Sequence, residues 1–263
     1  MGAAIQRTVV ITGASSGLGR ALALRYAADA TTLGLLGRSS DRLGHVADDC
    51  RRLGATVRTG CIDVRARSEM EHWLQQFDAH SPIGILIANA GVMAGRPADA
   101  NIESSTAGYA VMETNVLGVL NVIQPALPWM MSRGRGQIGI VSSIAAFIPL
   151  PDAPSYCASK AAILAYGLAL RSALHRSGIG VSVICPGYIK TPMMAQETGC
   201  KPFAMPPERA AALIVRGLQR NCAIIEFPRL FALVTRFGGL MPDYIRRWTV
   251  PRFAVDPRQE PDF

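Results

Sequence analysis

Short apolar runs alternate with amphipathic helical patterns along almost the whole chain. The runs are Thr8–Thr12, Thr32–Leu36, Thr56–Asp63, Ile83–Ala88, Gln137–Ser142, Val181–Cys185 and Ala223–Phe227. Each is too short for a helix and is rich enough in Val, Ile, Leu and Thr to read as a strand of a sheet covered by helices on both faces. Between them, helices are predicted to begin near Gly17, Asp41, Ser68, Ser104, Ser155 and Pro207, several opened by Ser, Asp or Pro. A helix between successive strands makes them parallel, so the pattern predicts the α/β class: one doubly wound parallel β-sheet of about seven strands flanked by helices.

No repeat, low-complexity tract or Pro/Gly/Ser linker divides the 263 residues, which predicts one domain over 1–263. Within it, an irregular excursion from Pro186 to Pro207 opens a predicted substrate lid region, 188–221, and a C-terminal extension covers 228–263. A hydrophobic content of 49% with only 17% charged residues excludes long disordered stretches. The formal charge of +8 suits an anionic partner: a nucleic acid, an acidic membrane or a phosphorylated small molecule. The arginines are scattered and no aromatic-interleaved basic run appears, which weighs against nucleic acid. Cys50, Cys61, Cys157, Cys185, Cys200 and Cys222 show no CxxC spacing, and His45, His72, His80 and His175 show no HExxH spacing, so no metal is expected. Cys157, although it follows Tyr156, reads as a small buried hydrophobe. The chain enters an apolar run without the three-part pattern of a secretory signal, and no run has the length of a membrane span; a reducing, cytoplasmic location is the expectation.

The first run is followed at once by TGASSGLG, Thr12 to Gly19, which opens the first helix. A glycine turn between strand and helix offers backbone N–H groups and the positive end of the helix dipole to a pyrophosphate, the arrangement of a Rossmann-like sheet. Gly13 permits the tight turn, Gly17 the approach of phosphate and Gly19 the close packing of helix on sheet, with Ser15, Ser16 and Leu18 beside them. At the end of the second run, where an acidic residue would hold a ribose 2′-hydroxyl, the sequence reads LLGRSSDRL. Gly37 and Arg38 stand there, so a guanidinium is available for a 2′-phosphate and no carboxylate repels it; NADP(H) is favoured over NAD(H). The alternative is a solvated arginine that caps a strand. Ser15 and Ser39 are further donors.

Tyr156 and Lys160, in YCASK, are four residues apart in a helical pattern and share a face. A free phenol titrates near 10, and a neighbouring ammonium favours the phenolate and draws that value down, which is what proton transfer near neutrality needs.

From Thr8 to about Thr191 the chain resembles the short-chain dehydrogenase/reductase (SDR) family, through TGASSGLG, the aspartate of CIDV, NAG at Asn89 to Gly91, Asn115 in ETNVLG, Ser143 in IVSSIAAF, YCASK and PGYIKT. The resemblance implies Tyr156 as general acid/base, Lys160 as the group that lowers its pKa and bonds the nicotinamide ribose, and Ser143 as holder of the substrate oxygen. Asn115 would anchor the water chain that resupplies protons to Lys160. Asp63 and Val64 would contact adenine, Asn89, Ala90 and Gly91 would pass the cofactor, and Pro186, Gly187, Ile189 and Thr191 would hold the nicotinamide side. Ser142 and Ser143 point to opposite sides of an extended segment, and the family's spacing to the tyrosine selects Ser143. The resemblance also implies a homodimer or homotetramer paired through helices near Ser104–Ser132 and Ser155–Ser177.

Met193, Met194 and Met205 fall in the lid, where they read as a flexible apolar wall for substrate. After the last run, Leu230, Leu233, Val234, Phe237 and Met241 form one helical stripe bordered by Arg229, Arg236, Arg246 and Arg247. Either this stripe packs on the domain or a second subunit, or it makes a weak peripheral contact with acidic lipid or walls a lipid-like substrate. Gly238 and Gly239 read as a break in that helix. The tail, with PPERAA and IIEFP, is similar to a branch of bacterial short-chain reductases with envelope and capsule members, which implies an acyl-lipid, polyketide-like or sugar-derived carbonyl.

The expected activity is hydride transfer between NADP(H) and a small-molecule carbonyl or alcohol. Two rivals stand beside it: a non-catalytic dinucleotide sensor or scaffold, and a sugar-nucleotide epimerase or dehydratase, which the glycine spacing and the short C-terminal part disfavour.

Overall fold

The seven runs form one parallel sheet of β1 (Thr8–Thr12), β2 (Thr32–Gly37), β3 (Thr56–Cys61), β4 (Ile85–Ala88), β5 (Gly136–Val141), β6 (Ile179–Pro186) and β7 (Ile224–Phe227). Their order is β3-β2-β1-β4-β5-β6-β7. This computed structural model describes residues 8–29, 31–97, 99–195, 201–242 and 244–245. The helices are α1 (Gly17–Ala27), α2 (Ser40–Arg52), α3 (Arg67–His80), α4 (Ser105–Met112), α5 (Gly118–Arg133), α6 (Pro154–Ala173), α7 (Pro192–Ala195), α8 (Pro207–Gln219) and α9 (Arg229–Gly239).

Alternation along the strands feeds two cores. Val9, Ile11, Leu33 and Leu35 face α1, α2 and α8 through Leu22, Val46 and Ile214. Val10, Leu36, Ile138 and Ile140 face α3, α5 and α6 through Phe77, Ile123 and Ile163. Each fully buried side chain of this size contributes roughly 1.5–3 kcal/mol, and the central strands spend both faces on it, which is why they read as unbroken apolar runs. The chain moves outward from β1 to β2 and β3, then returns to pair β4 with the other side of β1, Val9 opposite Ile85. At such a reversal the loops leave a crevice beyond the carboxyl ends of the strands.

Several boundaries differ from the sequence expectation for local reasons. β3 ends at Cys61 instead of Asp63, because the backbone turns back at Asp63, whose carbonyl accepts from Ala66 N at 2.9 Å. β4 begins at Ile85, since the Ile83 amide donates to the Asp78 carboxylate at 2.8 Å and not to a neighbouring strand. β6 starts earlier than Val181, at Ile179, where it meets Gly136. The helix expected from Ser104 to Ser132 is α4 and α5 joined by a π-helical turn, Glu113–Leu117. Among the described residues the expected lid region, 188–221, holds the short α7 and the whole of α8, and Met205 between them is buried, its amide donating to Tyr188 O at 3.0 Å.

The C-terminal stripe faces outward. α9 buries its small residues, Ala232, Thr235 and Gly238, and exposes Leu230, Leu233, Val234 and Phe237. Gly238 and Gly239 do not interrupt it; the helix runs through Gly239, where a Cβ would stand 2.0 Å from the Phe147 carbonyl oxygen. The glycines let the helix lie directly on the Phe147–Ile148 backbone. Arg246, Arg247 and Cys200 lie outside the described residues. Among the described residues no helix is long and apolar enough to cross a membrane.

Candidate active site

Beyond the carboxyl ends of β1, β2, β4, β5 and β6 the crevice opens into a cleft of about 540 Å³. It is lined by Gly13, Ser15, Ser16, Gly17, Leu18, Gly19, Arg38, Asp63, Val64, Asn89, Ala90, Gly91, Ser143, Tyr156, Lys160, Pro186, Gly187, Ile189 and Thr191. Every site residue read from the sequence is therefore on this wall except Ser39 and Asn115. Ser39 instead caps α2, its hydroxyl accepting from Arg42 N at 3.4 Å.

At one end the glycine turn is a bare backbone cradle. Gly17 holds φ at +52°, and a Cβ on Gly19 would sit 2.1 Å from the Gly13 carbonyl oxygen, so α1 starts against the turn itself. The buried Thr12 hydroxyl accepts from both Asn89 N and Ala90 N at 3.0 Å, while Asn89 Nδ2 donates to Thr12 O at 2.8 Å. These bonds staple the Asn89–Gly91 strap to the turn, so the two walls of the crevice hold each other.

The next stretch of wall is cationic. Arg38 is exposed at the end of β2 and Arg42 joins it on the lining, although the sequence reading passed over Arg42. Asp63 lies opposite. Burial pushes its carboxyl up, but hydrogen bonds from Arg65 and the charges of Arg65 and Arg38 outweigh burial and hold it below the usual carboxylate range. Arg65 grips it at 2.8 Å, so the one carboxylate on the cleft wall among the described residues is already neutralised.

At the far end, α6 carries Tyr156 and Lys160 on one face, with Lys160 Nζ 5.6 Å from the centre of the Tyr156 ring. Lys160 is buried and donates to Val141 O at 3.1 Å. Burial lowers its pKa from 10.5 to about 8, with a small opposing effect of Cys185. Of the adjacent serines, Ser142 is turned inward and donates to Lys160 O at 2.8 Å. Ser143 faces the cleft and accepts from Ala145 N at 3.1 Å, which leaves its own hydroxyl proton to donate.

Asn115 sits in the π-helical turn, fully buried behind the strap. Its Oδ1 accepts from Val92 N at 2.8 Å, and its amide protons go to Val92 O and Ser159 Oγ at 2.9 and 3.0 Å. Ser159 in turn donates to Tyr156 O at 2.7 Å. One asparagine thus ties the strap after β4 to the helix that carries Tyr156 and Lys160.

Sequence reasoning missed two further contributions. Glu103, ahead of α4, accepts from Ser155 N at 2.9 Å and from the Ser155 hydroxyl, placing a carboxylate at the positive end of α6 beside Tyr156. Ile144, Ile148, Leu150, Tyr188 and Phe231 join the expected Met193 and Met194 as an apolar wall around the Tyr156 end.

The family described as short chain dehydrogenase matches residues 7–200. An uncharacterized oxidoreductase of Myxococcus xanthus (strain DK1622) is 33% identical over 238 residues, covering 90% of this chain and 93% of the relative. The ketoacyl reductase HetN of Nostoc sp. (strain PCC 7120 / SAG 25.82 / UTEX 2576) is 32% identical over 262 residues, covering 92% and 88%. Among solved structures, the closed form of serine dehydrogenase complexed with NADP+ superposes with a TM-score of 0.73 at 27% identity, covering 84% of this chain and 94% of that one. With glycine turn, strap, serine, tyrosine and lysine gathered on one cleft and the match spanning most of its length, the chain belongs to the short-chain dehydrogenase family.

Proposed function

We propose that the chain, acting as one unit, is an NADP(H)-dependent oxidoreductase that transfers hydride between nicotinamide and a carbonyl or alcohol substrate, with Tyr156 as general acid/base. The observation that carries this reading is the meeting of Tyr156, Lys160 and Ser143 at one end of a cleft whose other end is the glycine turn. The residues fit the dinucleotide: Gly13–Gly19 face the cleft as a bare backbone turn, which α1 meets so closely that a Cβ on Gly19 would stand 2.1 Å from the Gly13 carbonyl oxygen. Arg38 and Arg42 suit a 2′-phosphate, Asp63 and Val64 the adenine side, Asn89–Gly91 the middle, and Pro186, Gly187, Ile189 and Thr191 the nicotinamide end. Bound there, the dinucleotide supplies hydride to the carbonyl carbon or accepts it from the alcohol.

Ser143 orients the substrate oxygen by donating its hydroxyl proton, and Tyr156 gives that oxygen a proton in reduction and takes it back in oxidation. The Lys160 ammonium beside the ring favours the phenolate, which makes the proton available near neutrality. Asn115 holds the strap against α6, the place from which a water relay would serve Lys160. Because the wall around Tyr156 is built of Ile144, Ile148, Leu150, Met193, Met194 and Phe231, we favour an apolar, acyl-lipid-like carbonyl over a sugar-derived one. The name of the similar Nostoc protein, a ketoacyl reductase, points the same way.

The test is a parallel titration with NADPH and NADH followed by nicotinamide fluorescence, on the native protein, Arg38→Ala and Tyr156→Phe. NADPH should bind about tenfold or more tighter than NADH, and Arg38→Ala should lose that margin selectively. Tyr156→Phe should keep the affinity and lose about 10²–10⁴ of turnover on apolar ketones. Binding of neither dinucleotide sinks the reading; binding with turnover untouched in Tyr156→Phe leaves a dinucleotide protein of different chemistry.

A further inference from the structure

The outward face of α9 is a run of exposed apolar side chains that the cleft does not use. Leu230, Leu233, Val234, Phe237 and Leu240 stand one above another on it and are 51–82% exposed. Phe203, also exposed, extends the patch at its N-terminal end, its ring 6.1 Å from that of Phe231. Leaving this much aliphatic and aromatic surface in water is costly, and contiguous patches of this kind mark interaction sites.

Beside the first turn of α9 runs a groove lined by Arg209, Arg216, Arg220 and Arg229, together with Phe203, Leu213 and Ile224. Arg209 and Arg216 share one face of α8, Arg220 caps its C-terminal end, and all four arginines are exposed. The acid on that lining, Glu226, is taken up by Arg236 at 2.7 Å. No Asp or Glu occurs between Pro228 and Pro242. The surface is therefore an apolar ridge continuous with a cationic groove.

We propose that this surface docks the protein on an anionic lipid membrane, with lipid phosphates in the arginine groove and the α9 ridge in the acyl boundary. The charge decides between occupants. A second copy laid on the same face would set arginines against arginines, whereas an acidic bilayer complements both the groove and the ridge. Docking also has a use: the opposite side of α9 contributes Phe231 and Thr235 to the cleft, so the helix that touches lipid is the wall of the apolar end of the site. The docking is independent of the proposed chemistry, and its test needs no turnover.

Flotation with vesicles of equal parts phosphatidylcholine and phosphatidylglycerol, against phosphatidylcholine alone, tests it on the full chain. The native protein should float with the anionic vesicles only, and added salt should weaken binding. Leu233→Glu with Phe237→Glu, and separately Arg216→Glu with Arg220→Glu, should each reduce partitioning by about tenfold or more. A thermal melt identifies any variant that fails to fold, and the arginine pair, exposed on α8, keeps the test open if the α9 pair does. Flotation with neither vesicle, equal flotation with both, or ridge substitutions that convert a dimer to a monomer without vesicle binding would each overturn the proposal, the last by making the ridge an interface between copies.

Discussion

Lys160 carries its ammonium in a place that water barely reaches, and that sets a pH signature. Its pKa of about 8 in the fold lies below the ordinary 10.5, so between those values the unfolded chain holds a proton that the folded one has released. Stability should therefore rise with pH through this window, by up to a few kcal/mol in order of magnitude. Above pH 9 the buried thiols oppose it: burial pushes Cys157 from 9.0 up to about 11 and Cys185 up to about 12, so their contribution is lost as pH rises. The rise should be measurable from about pH 7.5 to about pH 9 by urea denaturation of the dinucleotide-free protein, and absent in Lys160→Met. Equal slopes for the two proteins would contradict it. Tyr156 and Lys160 were legible because four-residue spacing puts two side chains on one helical face whatever the fold. Glu103 was not, because nothing local links it to Ser155, 52 residues on; only the packing of α4 beside α6 brings them together. Arg42 was passed over for the related reason that a solvated arginine and a wall arginine look alike in sequence.

α9 turns its larger apolar side chains to solvent and its small ones inward. Its apolar residues recur with helical period and so mark a stripe, but periodicity states that a helix has a side and not which way that side points. The buried side is made of Ala232, Thr235 and Gly238, too small to register as a hydrophobic face, and small because the helix lies on backbone at Phe147. Gly239→Ala would drive a Cβ to 2.0 Å from that carbonyl and push the helix off its bed. The cleft wall at Phe231 and Thr235 should move with it, raising KM for an apolar ketone by about tenfold while NADPH affinity stays unchanged. A fall in NADPH affinity of the same size would mean that α9 is tied to the dinucleotide end as well. The strands, by contrast, lie within about two residues of the apolar runs; the shifts at β3 and β4 come where a turn took the Asp63 carbonyl and the Asp78 carboxylate took the Ile83 amide, and β6 starts two residues early where Ile179 meets Gly136.

At the scale of the molecule, the order of strands and helices predicted a doubly wound sheet, and the sheet has that topology with all seven strands parallel. What covers its helices in solution was legible only from resemblance. Tyr109 and Leu117 remain exposed on α4 and the π-helical turn, and we expect them to be covered in a homodimer or homotetramer. Light scattering at working concentration should give a multiple of the 28.1 kDa chain mass, and Leu117→Glu should lower it. A native protein that scatters as a single chain would rule this out. The β1–β4 pairing carries a kinetic consequence. β1 lies inside the sheet, yet its second neighbour, β4, comes only after three crossover connections, so a long loop must close before the crevice exists. Folding intermediates that contain only β1 to β3 have the glycine turn but no strap, hence no binding site. A ligand that spans both therefore recognises the finished fold alone: it should slow unfolding and leave the refolding rate where it was.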